Sequence, residues 1–398
     1  MSTDYRSFFH NDASTVFEIK AWDWILIIGS VLAPMTGFRV GKIGPAELLC
    51  FIWALRYLTP RIIFNDVTKF FGVFFVSMAI GTVICMIVAP RELVMNSWLS
   101  WIFLSFIACT LFDVIDKNDV SYNEKVFDLI CHLSVGWYLF LYLYTMTTGQ
   151  RTFLGAPLWY YSRFSGGGKN PHQLATMFCG IVFWFLRQFK MRKSIVLNLA
   201  CFFTSISLIS ATQSSTGTAA VFMGIMAFLF ILTISSVRDY RLRINLMIIE
   251  IVVVFLVMLL FNSILYTRIY EWVASDKNGL GRFYLWASIK QMAVKSPIFG
   301  LGPGVHAISR GGYVKEFHNS YIELYAASGI LGIAALIMFS AKYLKKIFFG
   351  DVFFFPIMAS MYMYSVAGFA FRRLAFWVVV SFTYTIASQY MRENAITE

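Results

Sequence analysis

A long apolar run begins within residues 315–332, which read KEFHNSYIELYAASGILG. The apolar part has the composition of a membrane helix, and His318 stands immediately before it, next to an amide and two hydroxyl side chains. We therefore expect His318 at the mouth of a helix, on one face of a bilayer. The polar cluster either marks only the entrance to that helix or meets a molecule that reacts at the membrane surface.

Similar apolar runs recur along the whole chain. Hydrophobic residues make up 59% of the 398 residues, charged residues make up only 14%, and the mean hydropathy is +0.68. Soluble proteins carry roughly 25% charged residues, whereas a helix needs roughly 20 apolar residues to cross a bilayer. The composition predicts an all-α, polytopic membrane protein.

The apolar runs predict about twelve transmembrane helices in a single membrane domain that covers residues 1–398. No internal repeat is evident in the sequence. The predicted spans are 22–38, 44–59, 67–89, 97–115, 126–147, 173–187, 194–211, 217–236, 244–266, 321–341, 352–370 and 374–391.

The charge distribution predicts the orientation of these spans. Lysine and arginine are concentrated in the loops that follow the sixth, eighth and tenth spans. Cytoplasmic loops carry the excess of these residues, so these loops and both chain termini, including residues 1–21, are expected inside. The net charge of +12 is then a topology signal and does not indicate nucleic acid as a partner. Two long connections, 148–172 and about 267–320, are expected outside.

The second connection is far longer than the usual loop between helices, and long loops of this kind are often functional. Apolar residues recur in it at helical spacing from Phe283 to Ala293, with basic residues interspersed. This pattern predicts a short amphipathic helix in the membrane interface. Pro297 is expected to end that helix, and glycines 300, 302 and 304 follow as a turn.

Basic side chains collect in both external connections. The first holds Arg163 and His172 around three consecutive glycines, and the second holds Arg268 and Arg282. A guanidinium group binds phosphate bidentately and stays charged at any working pH. Several arginines on one face therefore predict a site for an anion.

Arg372 and Arg373 lie between the last two spans, outside by the same count. Their position opposes the positive-inside bias, which favours a functional reason such as anion binding. For any one arginine, the alternative is snorkelling at the membrane interface, which arginine does routinely near helix ends.

The segment FHNSYIE (317–323) also has a purely local explanation. Asn319 and Ser320 are common residues at helix N-termini, and Glu323 in the first turn suits the positive end of the helix dipole. Taken alone, His318 is best explained as a loop histidine whose hydrogen bonds are satisfied by neighbours. Local structure leaves His318 and Tyr321 without an assigned task.

The sequence offers no metal site. It has no HExxH motif, its six cysteines are scattered without a CxxC pair, and the expected external loops hold few carboxylates. Such motifs and clusters are the usual signatures of metal binding. We therefore expect neither a metal nor another cofactor.

Four segments in order resemble the superfamily of O-antigen ligases and Wzy-type polysaccharide polymerases. They are RFSGGGKNPHQLA (163–175), QSSTGTAA (213–220), GRFYLWASIKQMAVKSPIFGLGPG (281–304) and HNSYIELYAASGILG (318–332). The resemblance covers roughly residues 160–385. The chain departs from it at His172, where members often have asparagine, and at Ser215-Thr216, where they often have Ser-Arg.

The resemblance implies a GT-C-like fold and an inverting, metal-independent glycosyltransferase of the bacterial inner membrane, with its active site on the periplasmic face. It implies an undecaprenyl-pyrophosphate-linked glycan as donor. The acceptor is then either another glycan or the lipid A core. Membrane lipids and a chain-length regulator protein are the further expected partners.

The same resemblance implies roles for single residues. His318 matches the histidine of the HNSY motif and would activate the acceptor hydroxyl, which suits a neutral imidazole near pH 7. Arg163 and Arg282 match its arginines and would hold the pyrophosphate. Further candidates for substrate binding or orientation are Asn319, Tyr321, Arg268, Arg372 and Ser215.

Three functions remain open at this point. We expect a polymerase of lipid-linked repeat units, because the sequence SSTG (214–217) is more typical of exopolysaccharide polymerases. A ligase that moves glycan onto lipid A core is the alternative within the superfamily. A flippase or transporter is a different class with a similar number of helices, but it requires polar groups inside the spans. The predicted spans are nearly free of charge apart from Glu250 and residues at their ends.

Overall fold

The computed structural model of the protein describes residues 18–39, 43–57, 65–89, 96–236, 241–242, 245–246, 248–250, 252, 285–290, 295–304, 307–308 and 314–397. The helices are α1 (Asp23–Val31), α2 (Pro45–Arg56), α3 (Asp66–Val88), α4 (Asn96–Lys117), α5 (Val120–Thr148), α6 (His172–Lys190), α7 (Ile195–Ala211), α8 (Ser215–Ser236), α9 (Ser320–Phe349), α10 (Phe355–Ala367) and α11 (Leu374–Thr397). Short 3₁₀ turns cover Thr36–Phe38 and Val352–Phe354.

The strands within the described residues are short antiparallel pairs in the loops. They are β1 (Thr152–Phe153) with β2 (Ala156–Pro157), β3 (Trp159–Tyr160) with β4 (Arg163–Phe164), and β5 (Ala307–Ile308) with β6 (Val314–Lys315). The first two pairs give the connection 148–172 a folded form. The protein is otherwise helical, as the composition predicts.

Six of the described helices are long and apolar enough to cross a membrane, judged by length and composition: α3, α4, α5, α8, α9 and α11. Shorter apolar helices are Ile195–Ala211 and Val352–Ala367. A membrane protein with several spans is therefore supported, but the described residues do not confirm the predicted number of twelve. The predicted span 244–266 lies mostly outside the described residues.

The first two predicted spans, 22–38 and 44–59, are shorter helices than expected. The helix α1 has 9 residues and α2 has 12, whereas a crossing takes roughly 20. Pro34 follows α1, and Pro45 begins α2 at its first position, because proline is tolerated at a helix start but not in its interior. The pair forms a short helical hairpin.

This hairpin packs closely and is tied to α5 by one buried carboxylate. A Cβ on Gly29 would lie 2.7 Å from Cys50 Sγ, so α1 and α2 cross where only glycine fits. Asp23, which is 3% exposed, accepts hydrogen bonds from Trp53 Nε1 at 2.9 Å and Tyr122 hydroxyl at 2.5 Å. Three helices thus meet at a single acid, whose burial is compensated by these donors.

The helices α6 and α11 form the centre of the molecule. In α11, 89% of the apolar window is buried, against 39–56% in the other candidate spans, so this helix is surrounded by protein. The indole of Trp377 on α11 lies 4.9 Å from the ring of Phe71 and 6.2 Å from that of Phe339. Such ring pairs add to the apolar burial that holds helices together.

A buried ion cluster closes one end of this core. The Arg187 side chain, only 1% exposed, pairs with Glu124 at 2.5 Å and with Asp351 at 2.6 Å. Tyr390 donates to the same Glu124 at 2.8 Å, and the guanidinium lies 4.7 Å from the Phe354 ring. The cluster joins α5, α6 and α11 to the turn before α10.

The opposite end of the bundle is the loop face, defined as residues 31–39, 43–45, 148–172, 211–215, 314–320 and 367–374. Gly37 N donates to Gly167 O at 2.8 Å, which joins the α1–α2 turn to the connection 148–172. Arg163 Nε donates to Thr212 O at 2.9 Å, which joins that connection to the α7–α8 turn. Several separate loops therefore meet on one face.

The helix α9 is broken at Gly329, whose φ of 63° is left-handed. The turn 296–302 fills the break: Leu301 N donates to Ala326 O at 2.8 Å, and Ile330 N donates to Pro297 O at 3.0 Å. In a bilayer, backbone groups freed by a helix break must find partners within the protein. Residues 296–302 of the second connection supply these partners, so this turn is held in the break of α9.

We expect Arg187→Met to destabilise the protein strongly, because Glu124 and Asp351 would remain buried without their cation. Breaking a buried ion pair costs about 3–5 kcal/mol. The measurement is the thermal unfolding midpoint of the purified protein in detergent.

The matched control is Arg392→Met, which removes a pair with Asp116 that is 51% and 47% exposed. Exposed pairs contribute about 0–1 kcal/mol. Equal unfolding midpoints in the two variants would show that the Arg187 cluster contributes no more than a surface pair.

Candidate functional site

The residues around His318 form the start of α9. Asn319 Oδ1 accepts from Tyr321 N and from Ile322 N, both at 3.0 Å, which is the N-cap arrangement expected from its position. The Tyr321 hydroxyl donates to Tyr362 O on α10 at 3.0 Å. Both side chains proposed as orienters therefore hold the helix start in place.

Ser320 connects this helix start to the α10–α11 turn. Its hydroxyl donates to Gly368 O at 2.6 Å and accepts from Ala370 N at 2.8 Å. Ser320 is 2% exposed, so both bonds are protected from water. The turn that carries Arg372 and Arg373 is thus held directly against the residue after Asn319.

His318 itself lies outside the helix, in a left-handed backbone conformation with φ of 53°. For a residue with a Cβ, this conformation costs roughly 1–2 kcal/mol and persists only where the surroundings enforce it. The half-buried imidazole packs 5.0 Å from the Phe369 ring, centroid to centroid. The Asn319 cap and the Phe369 contact hold the imidazole on the loop face.

Arg372 is surrounded by acids. Its guanidinium pairs with Glu316 at 3.1 Å and with Glu323 at 2.7 Å, and it lies 5.0 Å from the Phe369 ring that also contacts His318. Burial raises the pKa of Glu316, but Arg372 and Arg373 outweigh this effect and hold that pKa below its usual value. Arg372, which was predicted to bind an anion, is therefore paired with two carboxylates, and Arg372 and His318 contact the same Phe369 ring.

The first connection contributes Arg163 and His172. Besides its bond to Thr212 O, Arg163 is fixed by its place in β4. His172 Nδ1 lies 2.9 Å from Ser214 Oγ, and His172 O accepts from the Tyr364 hydroxyl at 2.6 Å. The connection is therefore attached both to the start of α8 and to α10.

Ser214, the residue before the predicted substrate contact Ser215, caps α8. Ser214 Oγ accepts from Gly217 N at 3.1 Å and is fully buried, whereas Ser215 is exposed. An N-cap satisfies backbone donors at a helix start. Ser214 thereby fixes the entry to α8, and Ser215 stays a predicted substrate contact.

The three glycines 166–168 allow the first connection to approach the α1–α2 turn. Gly167 has φ of 86°, and a Cβ there would lie 2.7 Å from Met35 Cε. Lys169 N donates to Thr36 Oγ1 at 3.1 Å. These contacts hold residues 167–169 against the α1–α2 turn.

Arg268 and Arg282 lie outside the described residues, and of the predicted amphipathic helix only residues 285–290 are described, mostly as helix. Among the residues that the structure describes, no group of three or more His, Cys, Asp or Glu side chains could hold a metal ion. The roles of the two arginines stay predictions.

Sequence reasoning missed the residues that join the loops. Gln173 lies at the start of α6 and contacts Thr36. In the amide orientation that satisfies both ends, Gln173 Oε1 accepts from Arg373 Nη1 at 2.9 Å. Thr36 and Gln173 are polar residues within apolar segments, and their burial at 3% and 6% is the only feature that singles them out.

One part of the chain matches a known protein family. Residues 199–337 match the family model described as O-antigen ligase. This segment contains most of α7, α8, the second connection and the first half of α9, and therefore includes His318 and Arg282. Arg163 and Arg372 lie outside it. No curated protein and no solved structure matches the chain.

The apolar helices and the matched segment define a membrane enzyme of the glycosyltransferase type. The match to residues 199–337 supports the resemblance to the superfamily of O-antigen ligases and Wzy-type polymerases. The matched family is described by its ligase, the alternative that the sequence left open, and the match does not separate ligase from polymerase.

We expect Arg372→Gln to destabilise the protein, because Glu316 and Glu323 would then face each other without a cation. Glu316 is 47% exposed, so the loss is smaller than for a fully buried pair, on the order of 2 kcal/mol. The double variant Arg372→Gln with Glu323→Gln should recover part of the thermal midpoint. A double variant less stable than the single one would contradict the proposed ion pairing.

Proposed function

We propose that the protein is an inverting, metal-independent glycosyltransferase of the O-antigen ligase type, which transfers a glycan from an undecaprenyl-pyrophosphate donor to the lipid A core. The observation that carries this proposal is the position of His318. It lies inside the matched O-antigen ligase segment, outside the first turn of α9, on the face where the other loops meet. The loop face is the periplasmic face in this proposal, and both termini are cytoplasmic.

The chemistry requires few groups from the protein. The acceptor hydroxyl oxygen attacks the anomeric carbon, the bond from that carbon to the diphosphate oxygen breaks, and the diphosphate leaves with the electron pair. This leaving group is already a stabilised anion, and positive groups stabilise its developing charge. The acceptor proton needs a base, which His318 provides.

Arginine side chains hold the diphosphate in this proposal. A guanidinium fork matches two phosphate oxygens and stays charged. Arg163 is supported by its place on the loop face, next to the α7–α8 turn. Arg282 and Arg268 are assigned from the motif and its loop alone, and Ser215 is available at the exposed start of α8.

A polymerase is the second candidate. The feature that favours it is the sequence SSTG (214–217), which is more typical of exopolysaccharide polymerases, whereas members of the superfamily often carry Ser-Arg at Ser215-Thr216. The donor and the chemistry at His318 are the same in both cases. Only the acceptor differs: a second lipid-linked glycan in the polymerase, and the lipid A core in the ligase. A chain-length regulator protein would be a partner of the polymerase.

We expect His318→Ala to lower the transfer rate by about 10²–10⁴-fold, the usual contribution of a positioned general base. The measurement is glycan transfer by the purified protein from a lipid-linked donor to lipid A core, followed by gel electrophoresis. The matched control is His132→Ala in α5. His132 lies roughly 24 Å along the helix from residue 148, where the loop face begins, so this variant should leave the transfer rate unchanged. Normal transfer by the His318 variant would refute the catalytic role.

A deletion strain separates ligase from polymerase. Loss of a ligase leaves polymer on its lipid carrier and an unmodified lipid A core, whereas loss of a polymerase leaves single repeat units on the core. The measurement is the ladder of glycan lengths on lipid A. We expect the deletion strain to carry an unmodified lipid A core. Single-unit glycans on that core would show that the protein is a polymerase instead.

A further inference from the structure

Trp286 is a motif residue to which the proposed function assigns no task. It belongs to the segment GRFYLWASIKQMAVKSPIFGLGPG (281–304) and lies in the described part of the predicted amphipathic helix, residues 285–290. In this helix Leu285 and Ser288 are buried and Trp286 is half-buried, so one face lies against the protein. A spacing of three residues between buried positions is typical of such a helix.

The buried face of this short helix packs into a small apolar cluster that is separate from the main core. Leu285, Leu301 and Phe317 are buried members of the cluster. Its other members lie at the end of α3 and in the first half of α9. Burial of apolar surface holds these segments together, and Phe317, the residue before His318, is thereby anchored to the second connection.

Trp286 adds a polar contact at the same place. Its Nε1 donates to Phe317 O at 2.8 Å. This oxygen belongs to the peptide unit that joins Phe317 to His318, and a peptide unit is planar. A hydrogen bond to the oxygen therefore restrains the plane from which the backbone of His318 turns, at its N–Cα bond, with φ of 53°.

The left-handed conformation of His318 requires such a restraint. A residue with a Cβ is strained at positive φ and keeps this conformation only where its surroundings enforce it. The residue that follows is fixed as well, because Asn319 is extended, with φ of −150°, and caps α9 through its side chain. His318 thus lies between two held points, the peptide unit bonded to Trp286 and the Asn319 cap.

The two supports of the imidazole differ in kind. Phe369 contacts the ring itself, at 5.0 Å between centroids, whereas Trp286 acts on the backbone before it. Without the backbone restraint, His318 is free to relax to negative φ, which moves its Cβ and turns the ring. A ring contact alone does not prevent this rotation.

We propose that Trp286 is a positioning residue for His318, whose indole N–H holds the Phe317–His318 peptide unit so that the imidazole faces the acceptor hydroxyl. The catalytic part of this statement rests on the proposed function; the hold on the histidine does not. The amphipathic helix then has a task at the site. It places an indole, a side chain enriched at membrane interfaces, against the residue before the base.

The first test is glycan transfer by the purified full-length Trp286→Phe protein, which keeps an aromatic ring but lacks the indole N–H. We expect kcat to fall about tenfold, because loss of the hydrogen bond releases His318 from its strained conformation. KM for the lipid-linked donor should stay within about twofold, since only the transition state needs the oriented base. Trp286→Tyr also lacks the indole N–H, so a folded variant of either kind, judged by its thermal midpoint, is sufficient.

Coupling to His318 separates positioning from a general structural effect. In a His318→Ala background, Trp286→Phe should lower the residual rate no further, because residues that act through one another are not additive. The matched control is Trp22→Phe, which removes an indole donor to Trp53 O at the far end of α1 and should leave kcat unchanged. Wild-type kcat in a folded Trp286→Phe protein would overturn the proposal, as would the same fractional loss with and without His318.

Chemical labelling reads the hold on the histidine without any transferase activity. Diethyl pyrocarbonate modifies accessible imidazole nitrogens, and mass spectrometry distinguishes His318 from His172. Trp286→Phe should increase the labelling rate of His318 severalfold, because a loosened segment opens more often, and should leave that of His172 unchanged. Equal labelling of His318 in both proteins would refute the positioning role. Faster labelling together with normal transfer by His318→Ala would support the hold and refute the catalytic role, so the two failures are distinguishable.

Discussion

The hydroxyl of Ser320 is the contact on which the loop face depends. It is a donor to Gly368 O and an acceptor from Ala370 N, and thereby holds the start of α9 against the α10–α11 turn. A buried hydroxyl that satisfies two backbone groups is costly to remove, about 1–3 kcal/mol for the groups left without a partner. Because of this contact, His318 and the two arginines that follow Phe371 occupy fixed positions relative to one another.

The two adjacent arginines on this face have different partners. Arg372 pairs with Glu316 and Glu323, and its guanidinium lies against the Phe369 ring that also contacts His318. Arg373 donates to the neutral oxygens of Phe369 and Gln173. Two neighbouring residues of the same type thus differ because one points to acids and the other to a glutamine amide. An arginine count alone cannot separate these surroundings.

Much of the fold follows from the sequence because apolar runs are local. The long helices lie where the hydropathy predicts them, and the Asn319 cap is found where its residue type favours a helix start. The short α1 and α2 were overestimated because their apolar composition continues past the prolines and glycines that end them. The small hairpins of residues 152–164 were not predicted, since two-residue strands leave no periodic pattern.

The site is less accessible to sequence reasoning, because its contacts join distant segments. His318 and Arg163 are recognisable from motifs. The pairing of Arg372 with Glu316 spans 56 residues, and the contact of Thr36 with Gln173 spans 137. Neither pattern has a fixed spacing, so the division between Arg372 and Arg373 emerges only from the three-dimensional arrangement.

The break in α9 has a consequence for the exchange of parts between related chains. The turn 296–302 supplies backbone partners to both sides of Gly329, and a Cβ on Gly300 would lie 2.5 Å from Ser328 N. Turn and helix are therefore complementary surfaces. A chimera that takes the second connection from another protein should carry residues 296–332 as a single cassette.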